Sequence, residues 1–151
     1  MRNLFFDTSA LVKRYYDEPG TEFVDSLITD DDTKVVLTSI AVIETVSAFR
    51  RKYNRDDISD GVLNELLASF FEEALSEFLI LPTEESLLIN SFELVLEDDL
   101  RTLDSLQLSA ALSVSENVED LVFVSADKEL VDVAESNGLN AVNPDERSTE
   151  D

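Results

Sequence analysis

The chain has 151 residues, and its 34 Asp and Glu residues against 11 Lys and Arg residues give a formal net charge of −23. The length suits one compact domain, and the 44% share of hydrophobic residues is too high for an intrinsically disordered acidic chain. The chain contains no Cys and no His, which excludes disulfide frameworks, Cys- or His-based metal sites and Ser-His-Asp catalysis, so any chemistry must depend on carboxylates and hydroxyls.

Short apolar segments alternate with segments of helical period along the chain. Strands are predicted at residues 4–6, 35–37, 78–81 and 121–124, with a short last strand at 141–142. Helices are predicted after Asp7 and over residues 42–53, 63–78, 83–95, 102–114 and 128–137, with Thr83 and Thr102 as N-caps and Gly138 as a C-terminal stop. Because a parallel crossover needs a helix on a sheet face, this alternation predicts a three-layer α/β/α fold with a mainly parallel sheet.

The predicted organisation is one domain over residues 1–143 and a disordered acidic tail over 144–151. Charge interrupts the N-terminus before a signal-peptide apolar segment forms, and no apolar run approaches the roughly 18 residues of a membrane span. We therefore expect a soluble, cytoplasmic protein. The acidic excess is spread along the whole chain and Lys residues are few, which indicates a halophilic-type surface adapted to a salt-rich cytosol.

Four acidic residues lie where an open α/β sheet binds its ligands, beyond the carboxyl ends of the strands. Asp7 and Asp127 follow the first and fourth predicted strands, Glu44 lies one turn into the helix after the second strand, and Asp104 begins a strongly apolar helix. Each acid alone also has a structural explanation. These are a helix cap for Asp7 and Asp127, a solvent-facing position for Glu44, and a first-turn position favoured by the helix dipole for Asp104.

Taken together, the four acids favour a divalent-metal site. Several carboxylates at one sheet edge cannot all ionise unless a cation neutralises them. Mg²⁺ and Mn²⁺ prefer oxygen ligands and a few carboxylates. Such a cation lowers the pKa of a bound water and stabilises the charge that develops on a phosphate, so phosphodiester hydrolysis is chemically available without His or Cys.

The sequence around these acids resembles the ordered motifs of the PIN-domain family. The matching segments carry the acids in the family's order, in similar hydrophobic surroundings, at residues 6–13, 43–44 with 48–49, 103–112, and 125–127 with 137–139. The resemblance extends over residues 1 to about 143, and within the family it is to the VapC-like toxins of toxin–antitoxin pairs. It implies a Mg²⁺- or Mn²⁺-dependent endoribonuclease in which Asp7, Glu44, Asp104 and Asp127 hold the metal and activate water.

The resemblance also implies supporting residues and partners. Thr8 and Ser125 would place hydroxyl groups near the metal, and Gln107 stands where many relatives carry His, a difference that bears on local substrate contact rather than on metal binding. The family further implies a homodimer and inhibition by a small antitoxin whose C-terminal segment lies across the active-site groove. The apolar helix over residues 63–78 is expected either to contribute to one of these surfaces or to pack on the sheet as a core helix.

Basic residues cluster beside the acidic motifs, and the candidates for contacts with RNA phosphates are Lys13, Arg14, Arg50, Arg51 and Arg101. The alternative for Arg50 and Arg51 is a solvated helix end, where cations interact favourably with the helix dipole. Asp98 and Asp99 precede the Asp104 helix and are either outer acids of the site or part of a loop.

Two other functions are open at this point. A non-catalytic PIN-fold interaction or scaffold domain would keep the fold without needing a carboxylate cluster. A phosphoacceptor receiver domain also places acids at strand ends, but it requires an acidic pair after the first strand and an Asp after the third, where this chain has a lone Asp7 and Pro82. The metal-dependent ribonuclease is favoured because all four acids are present.

Overall fold

The computed structural model describes residues 1–146 and contains a five-stranded sheet in which every neighbouring pair of strands is parallel. The strands are β1 (Arg2–Phe6), β2 (Thr33–Thr38), β3 (Leu79–Leu81), β4 (Leu121–Val124) and β5 (Asn140–Val142). Their order across the sheet is β3-β2-β1-β4-β5. The central strand β1 therefore has β2 on one side and β4 on the other.

Helices connect the strands. They are α1 (Thr8–Leu11), α2 (Thr21–Ile28), α3 (Ser39–Asn54), α4 (Asp60–Glu77), α5 (Glu85–Asp98), α6 (Thr102–Ser115) and α7 (Lys128–Ser136). Single 3₁₀ turns occur at Val12–Arg14 and Pro144–Glu146. Over residues 1–146, none of these helices combines the length and the apolar composition that crossing a bilayer requires.

Side chains alternate across the sheet, so each face has its own core. Leu4 and Phe6 of β1 are buried in a core with residues of α1, α2, α3 and α4. Phe5 points to the opposite face, where it is buried with residues of α5, α6 and α7. The predicted three-layer α/β/α architecture with a parallel sheet is confirmed.

The structure differs from the sequence prediction at several helix ends. Helix α2 was not predicted: it has only eight residues, and Gly20, at φ 94°, precedes it without a side-chain cap. Glu84 rather than Thr83 is the N-cap of α5, because the Thr83 hydroxyl lies 3.2 Å from that of Ser39 instead. Likewise Arg101 is the N-cap of α6, and Thr102 is its first residue.

The predicted disordered tail starts too early. Pro144 is buried, and a Cβ atom on Gly20 would lie 3.0 Å from the Pro144 Cβ, so this turn packs tightly against the residue that precedes α2. The Asp145 carboxylate forms an ion pair with the Lys13 ammonium group at 2.9 Å. Residues 144–146 are therefore part of the folded structure, and the rest of the predicted tail, residues 147–151, lies outside the described residues.

Candidate metal centre

Asp7 lies where the connections of the sheet diverge. It directly follows the central strand β1, whose neighbours β2 and β4 lie on opposite sides. The Asp7 backbone N–H donates to the Val124 carbonyl at 2.9 Å, which fixes the turn after β1 against the end of β4. Open α/β sheets bind ligands in the crevice beyond the carboxyl ends of the strands at such a point.

The Asp7 carboxylate is held by two serine hydroxyls. Ser9 donates to Asp7 Oδ2 at 2.7 Å, and the fully buried Ser125 donates to the same oxygen at 2.9 Å. Asp7 itself is 6% exposed, and although it occupies the N-cap position of α1, its side chain makes no capping hydrogen bond. The interpretation of this carboxylate as a helix cap is therefore wrong.

The two serines are in turn fixed by the loop after β4. The backbone N–H of Ala126 donates to Ser9 Oγ at 2.9 Å, and that of Asp127 donates to Ser125 Oγ at 3.1 Å. Both serine protons are thereby directed to Asp7. Ser9 was not among the predicted supporting residues, although its position two residues after Asp7 is typical of short-range hydroxyl–carboxylate bonds.

The acid cluster, which consists of Asp7, Glu44, Asp104 and Asp127, is electrostatically coupled. Burial raises the pKa of Asp7, and the charge of Asp127 adds to this increase, while the two serine hydrogen bonds oppose it. Burial also raises the pKa of Asp104 to about 6, with further contributions from the charges of Asp7 and Asp127. These carboxylates therefore disfavour simultaneous ionisation.

Glu44 belongs to the same cluster although it lies on α3. Burial raises its pKa first, and the charges of Asp7 and Asp104 raise it further. Its side chain is half-buried, which excludes the fully solvent-facing alternative. The pKa of Glu44 is thus affected by the charges of Asp7, at the end of β1, and Asp104, at the start of α6.

Asp127 combines the two roles that its sequence position suggested. Its Oδ1 accepts a hydrogen bond from the Leu130 backbone N–H at 3.2 Å, so it is the N-cap of α7, as the structural explanation predicted. Its charge nevertheless raises the pKa of both Asp7 and Asp104. The Asp127 side chain therefore serves both as a helix cap and as a member of the acid cluster.

Two buried polar atoms beside the cluster make no hydrogen bond: Thr8 Oγ1 and Gln107 Nε2. Thr8 follows Asp7 in the chain and is 8% exposed. Gln107 is fully buried and accepts a 3.0 Å hydrogen bond from the Thr38 hydroxyl through Oε1. Because Gln107 has no exposed surface, it does not contact substrate directly, and Thr38 is a neighbour of the cluster that sequence analysis missed.

The chemistry of these donors fits a divalent cation that keeps much of its water shell. Within the described residues, no three carboxylates converge closely enough to form a ready metal cage. Mg²⁺ usually retains several waters and binds through one or two carboxylates, so a coupled but open set of acids suits it better than a closed cage would. The unpaired Thr8 hydroxyl adds a hard oxygen donor beside Asp7.

A cavity of about 370 Å³ opens beside the cluster. Its walls include Asp104, Asp127 and Arg101, and also Asp99, which is the C-cap of α5 at φ 57°. Asp98 instead accepts a 3.5 Å hydrogen bond from the Asn137 side chain, which connects the ends of α5 and α7. Asp99 therefore lines the groove, whereas Asp98 has a structural contact.

Two of the predicted RNA-contacting residues are engaged elsewhere. Lys13 is 5% exposed, and its ammonium group contacts carboxylates of Glu18 at 3.1 Å and Asp145 at 2.9 Å. The prediction that Lys13 contacts RNA is wrong, because a buried and paired ammonium group cannot reach a phosphate. Arg14 donates to Glu73 at 2.8 Å and pairs with Asp25 at 3.0 Å, and the Glu73 bond raises the pKa of its guanidinium further.

The remaining candidates are exposed, and two of them act on the cluster. Burial raises the pKa of Glu44, but the charge of Arg51 lowers it. In the same way Arg101 opposes the burial that raises the pKa of Asp104. Arg50 lies over the Tyr53 ring, with its guanidinium carbon 4.8 Å from the ring centroid. Among the predicted RNA contacts, Arg51 and Arg101 are therefore the two whose charge lowers the pKa of an acid in the cluster.

Comparison with known proteins identifies relatives of this arrangement. A family model described as the PIN domain matches residues 4–136. PAE2754 from Pyrobaculum aerophilum is similar in structure, with a TM-score of 0.66 and 20% identity over 93% of this chain and 84% of that chain. A toxin–antitoxin complex from Klebsiella pneumoniae has a TM-score of 0.63 and 16% identity, over 93% of this chain and 97% of that chain.

A third similar structure is VapC20 from Mycobacterium tuberculosis, described as a sarcin-ricin loop cleaving toxin. Its TM-score is 0.67 at 12% identity, over 93% of this chain and 99% of that chain. Among curated protein sequences, none matches this chain significantly. At these identities, the likeness to solved structures shows a shared fold.

Proposed function

Because the chain belongs to the PIN-domain family, we propose that it is a Mg²⁺- or Mn²⁺-dependent endoribonuclease of the VapC toxin type. The observation that carries this proposal is the coupling of the four acids around buried Asp7, each in the family's order along the chain. The description of VapC20 as a toxin that cleaves the sarcin-ricin loop supports RNA as the substrate class. A cytoplasmic location follows from that substrate.

In this proposal, Asp7 and Asp104 hold the cation, and Glu44 and Asp127 complete the site or position water. When bound, the cation supplies activation of water and neutralises charge at the phosphate. Ser9 and Ser125 orient the Asp7 carboxylate through Oδ2. The Glu44 carboxylate, whose pKa burial raises above its ordinary value, is suited to accept the proton that the attacking water loses.

Substrate binding requires cations on an acidic protein. Arg51 and Arg101 lie on different helix ends and act on different acids of the cluster, so together they flank it. We assign the phosphate contacts to these two residues, with exposed Arg50 as an outer contact. The remaining acidic surface would then repel RNA from other parts of the molecule.

An antitoxin is the proposed protein partner at the same groove. Ile43 and Leu103 are 69% and 45% exposed, and each directly precedes an acid of the cluster, Glu44 and Asp104. A segment with apolar side chains and a basic side chain would cover the two apolar residues and neutralise the acids at once. The toxin–antitoxin complex from Klebsiella pneumoniae supports a partner of this class.

A homodimer is also proposed, through the outer face of α5. This face exposes a continuous apolar stripe formed by Leu88, Ile89, Phe92, Val95 and Leu96. The apolar helix predicted over residues 63–78 as a possible interaction surface corresponds to α4. It instead buries most of its apolar stripe in the core, as Leu63, Leu66, Phe70 and Ala74. An apolar stripe on one helix is complementary to itself in a two-fold dimer, so a second copy of this chain can cover it.

Calorimetry of Mn²⁺ binding tests the proposed activity without knowledge of the RNA. The titration is carried out in about 1 M KCl, where the Debye length is about 3 Å and diffuse binding to the acidic surface is suppressed. We expect saturable binding that is lost in Asp7→Asn and retained in the control Asp17→Asn, which changes an exposed acid outside the cluster. Equal weak binding in all three proteins would support the non-catalytic interaction domain instead.

A further inference from the structure

Gln107 is buried in α6 between Thr38, at the end of β2, and Glu44, on α3. Its Oε1 accepts the Thr38 hydroxyl proton at 3.0 Å, and its side chain has no exposed surface. Its Nε2 group, the only donor in the side chain, makes no hydrogen bond of full geometry. A buried donor whose hydrogen bond is poorly aligned contributes little to folding stability, so this arrangement indicates a role other than stabilising the core.

The group that Nε2 faces is the Glu44 carboxylate. The Gln107 carboxamide forms a side-chain hydrogen bond with this carboxylate, although its alignment falls short of full hydrogen-bond geometry. An ionised carboxylate only accepts hydrogen bonds, so the amide must donate in this contact. Since Nε2 is the sole donor of Gln107, this atom lies on the side of Glu44.

Thr38 fixes the direction of the amide. Its hydroxyl accepts the Ala41 backbone N–H at 3.0 Å as the N-cap of α3, so its single proton is available for Gln107 Oε1. The carboxamide therefore presents its oxygen to Thr38 and its nitrogen away from it. One hydroxyl thereby holds both the helix that carries Glu44 and the side chain that faces Glu44.

We propose that Gln107 is a positioning residue for Glu44: its buried amide donates a hydrogen bond to the Glu44 carboxylate and holds it toward the acid cluster, both before and after a divalent cation binds. This inference rests on the proposed function. Gln107 acts through Glu44, because a side chain with no exposed surface touches neither RNA nor solvent. Hydrogen-bond partners of metal-binding carboxylates orient them in this way in other sites.

Titration with Mn²⁺ alone, in the full chain at high KCl, tests this role. Gln107→Leu keeps the volume and removes the donor, whereas Gln107→His restores one. The control Ser109→Ala removes another buried hydrogen bond of α6, from the Ser109 hydroxyl to the Leu87 carbonyl at 3.0 Å, away from the cluster.

We expect Gln107→Leu to bind Mn²⁺ about tenfold more weakly, and Gln107→His to stay within about threefold of the parent. Ser109→Ala should lower the melting temperature without changing Mn²⁺ affinity. Mn²⁺ binding by Gln107→Leu as tight as that of the parent would overturn the proposal. An equal loss of Mn²⁺ affinity in Gln107→Leu and Gln107→His would also overturn it, because the effect would then come from altered packing rather than from the lost donor.

A second measurement does not depend on metal binding and so separates this inference from the proposed function. If the parent does not bind Mn²⁺, the proposed function fails, but the contact between Gln107 and Glu44 can still be tested. In isotopically labelled, metal-free protein, we expect Glu44→Gln to shift the side-chain amide proton resonances of Gln107. Ser109→Ala should leave those resonances in place. Unchanged Gln107 amide resonances in Glu44→Gln would show that the amide does not meet Glu44 and would overturn the positioning role.

Discussion

The Ser125 hydroxyl donates a 2.9 Å hydrogen bond to the Asp7 carboxylate across 118 positions of the chain. The bond joins the turn after β1 to the loop after β4, two neighbouring strands at the centre of the sheet. It also directs one of the two hydroxyl protons that stabilise a buried negative charge. The geometry of the acid cluster therefore depends on a residue that carries no charge.

Ser125→Ala should weaken metal binding and stability together. The variant leaves the Asp127 backbone N–H without its hydroxyl acceptor and Asp7 without one donor, and unsatisfied buried groups cost about 1–3 kcal/mol. We expect a folded protein with a lower melting temperature and about tenfold weaker Mn²⁺ binding by calorimetry. Ser136→Ala, which removes an exposed hydroxyl that bonds only within α7, is the control. Unchanged Mn²⁺ affinity in Ser125→Ala would contradict the role of this bond.

Metal-free stability should fall as the pH rises through about 6. The pKa of Asp104 is about 6 in the folded chain against an ordinary value of 3.8, mainly because of burial. The folded state therefore binds a proton more tightly than the unfolded state, and the associated stability is fully present below the unfolded pKa and is lost as the pH rises through about 6. The raised pKa values of Asp7 and Glu44 act in the same direction.

Thermal melts in a chelator, between about pH 5 and pH 7.5, measure this effect. We expect the melting temperature of the parent to decrease over this range and that of Asp104→Asn to decrease less, because the variant removes one titrating group. Asp132→Asn, at an exposed position on α7, should retain the slope of the parent. A melting temperature that rises with pH in the parent would contradict the coupling of the cluster.

The sequence predicts the fold and the positions of the four acids because local patterns determine them. Short apolar strands separated by amphipathic helices leave few arrangements besides a parallel sheet, and acids that follow parallel strands meet at one edge. Helix α2 was missed because Gly20 supplies no capping side chain and the helix is short. Local sequence patterns therefore do not predict a helix such as α2, which is stabilised by its tertiary neighbours rather than by a capping side chain of its own.

The side-chain partners could not be predicted for the same reason. Lys13 is neutralised partly by Asp145, and Arg14 by Glu73, residues that come from the far end of the chain and from α4. Pattern alone gives no distance between such positions, so both cations appeared available for RNA. The burial of Gln107 is also a tertiary property, since its own helix is apolar on most sides and the sequence does not say which side faces the cluster.

Arg51 and Arg101 should contribute to RNA cleavage more than other exposed arginines. Removing one phosphate contact reduces the salt dependence of RNA binding, with a decrease of about 0.7 in slope for single strands. We expect Arg51→Gln and Arg101→Gln each to lower kcat/KM and to show this smaller slope. Arg55→Gln, whose exposed guanidinium pairs with Asp57 at 3.3 Å, is the control. An equal loss in Arg55→Gln would mean that general charge, not the rim of the cluster, binds RNA.

Stability should increase with KCl concentration if the acidic surface is adapted to salt. Asp30, Asp31 and Asp32 are consecutive and exposed, and the net charge of −23 makes repulsion a general cost of the compact state. We expect the melting temperature to rise by several degrees between about 0.1 and 1 M KCl, as the Debye length falls from about 10 to about 3 Å. Sucrose at equal osmolality controls for general solvent effects. A flat or falling curve in KCl would argue against salt adaptation.

The outer face of α5 should be the surface through which two copies associate. Leu96 is 83% exposed on the α5 stripe, and Leu75 is 76% exposed on α4, so the same substitution at both positions compares the two helices at matched exposure. We expect the parent to sediment as a dimer and Leu96→Glu as a monomer, because the two-fold axis places the added charge in the apolar contact twice, once from each copy. Leu75→Glu should remain dimeric. Dissociation by Leu75→Glu, with a dimeric Leu96→Glu, would move the interface to α4, and a monomeric parent would contradict the proposed dimer.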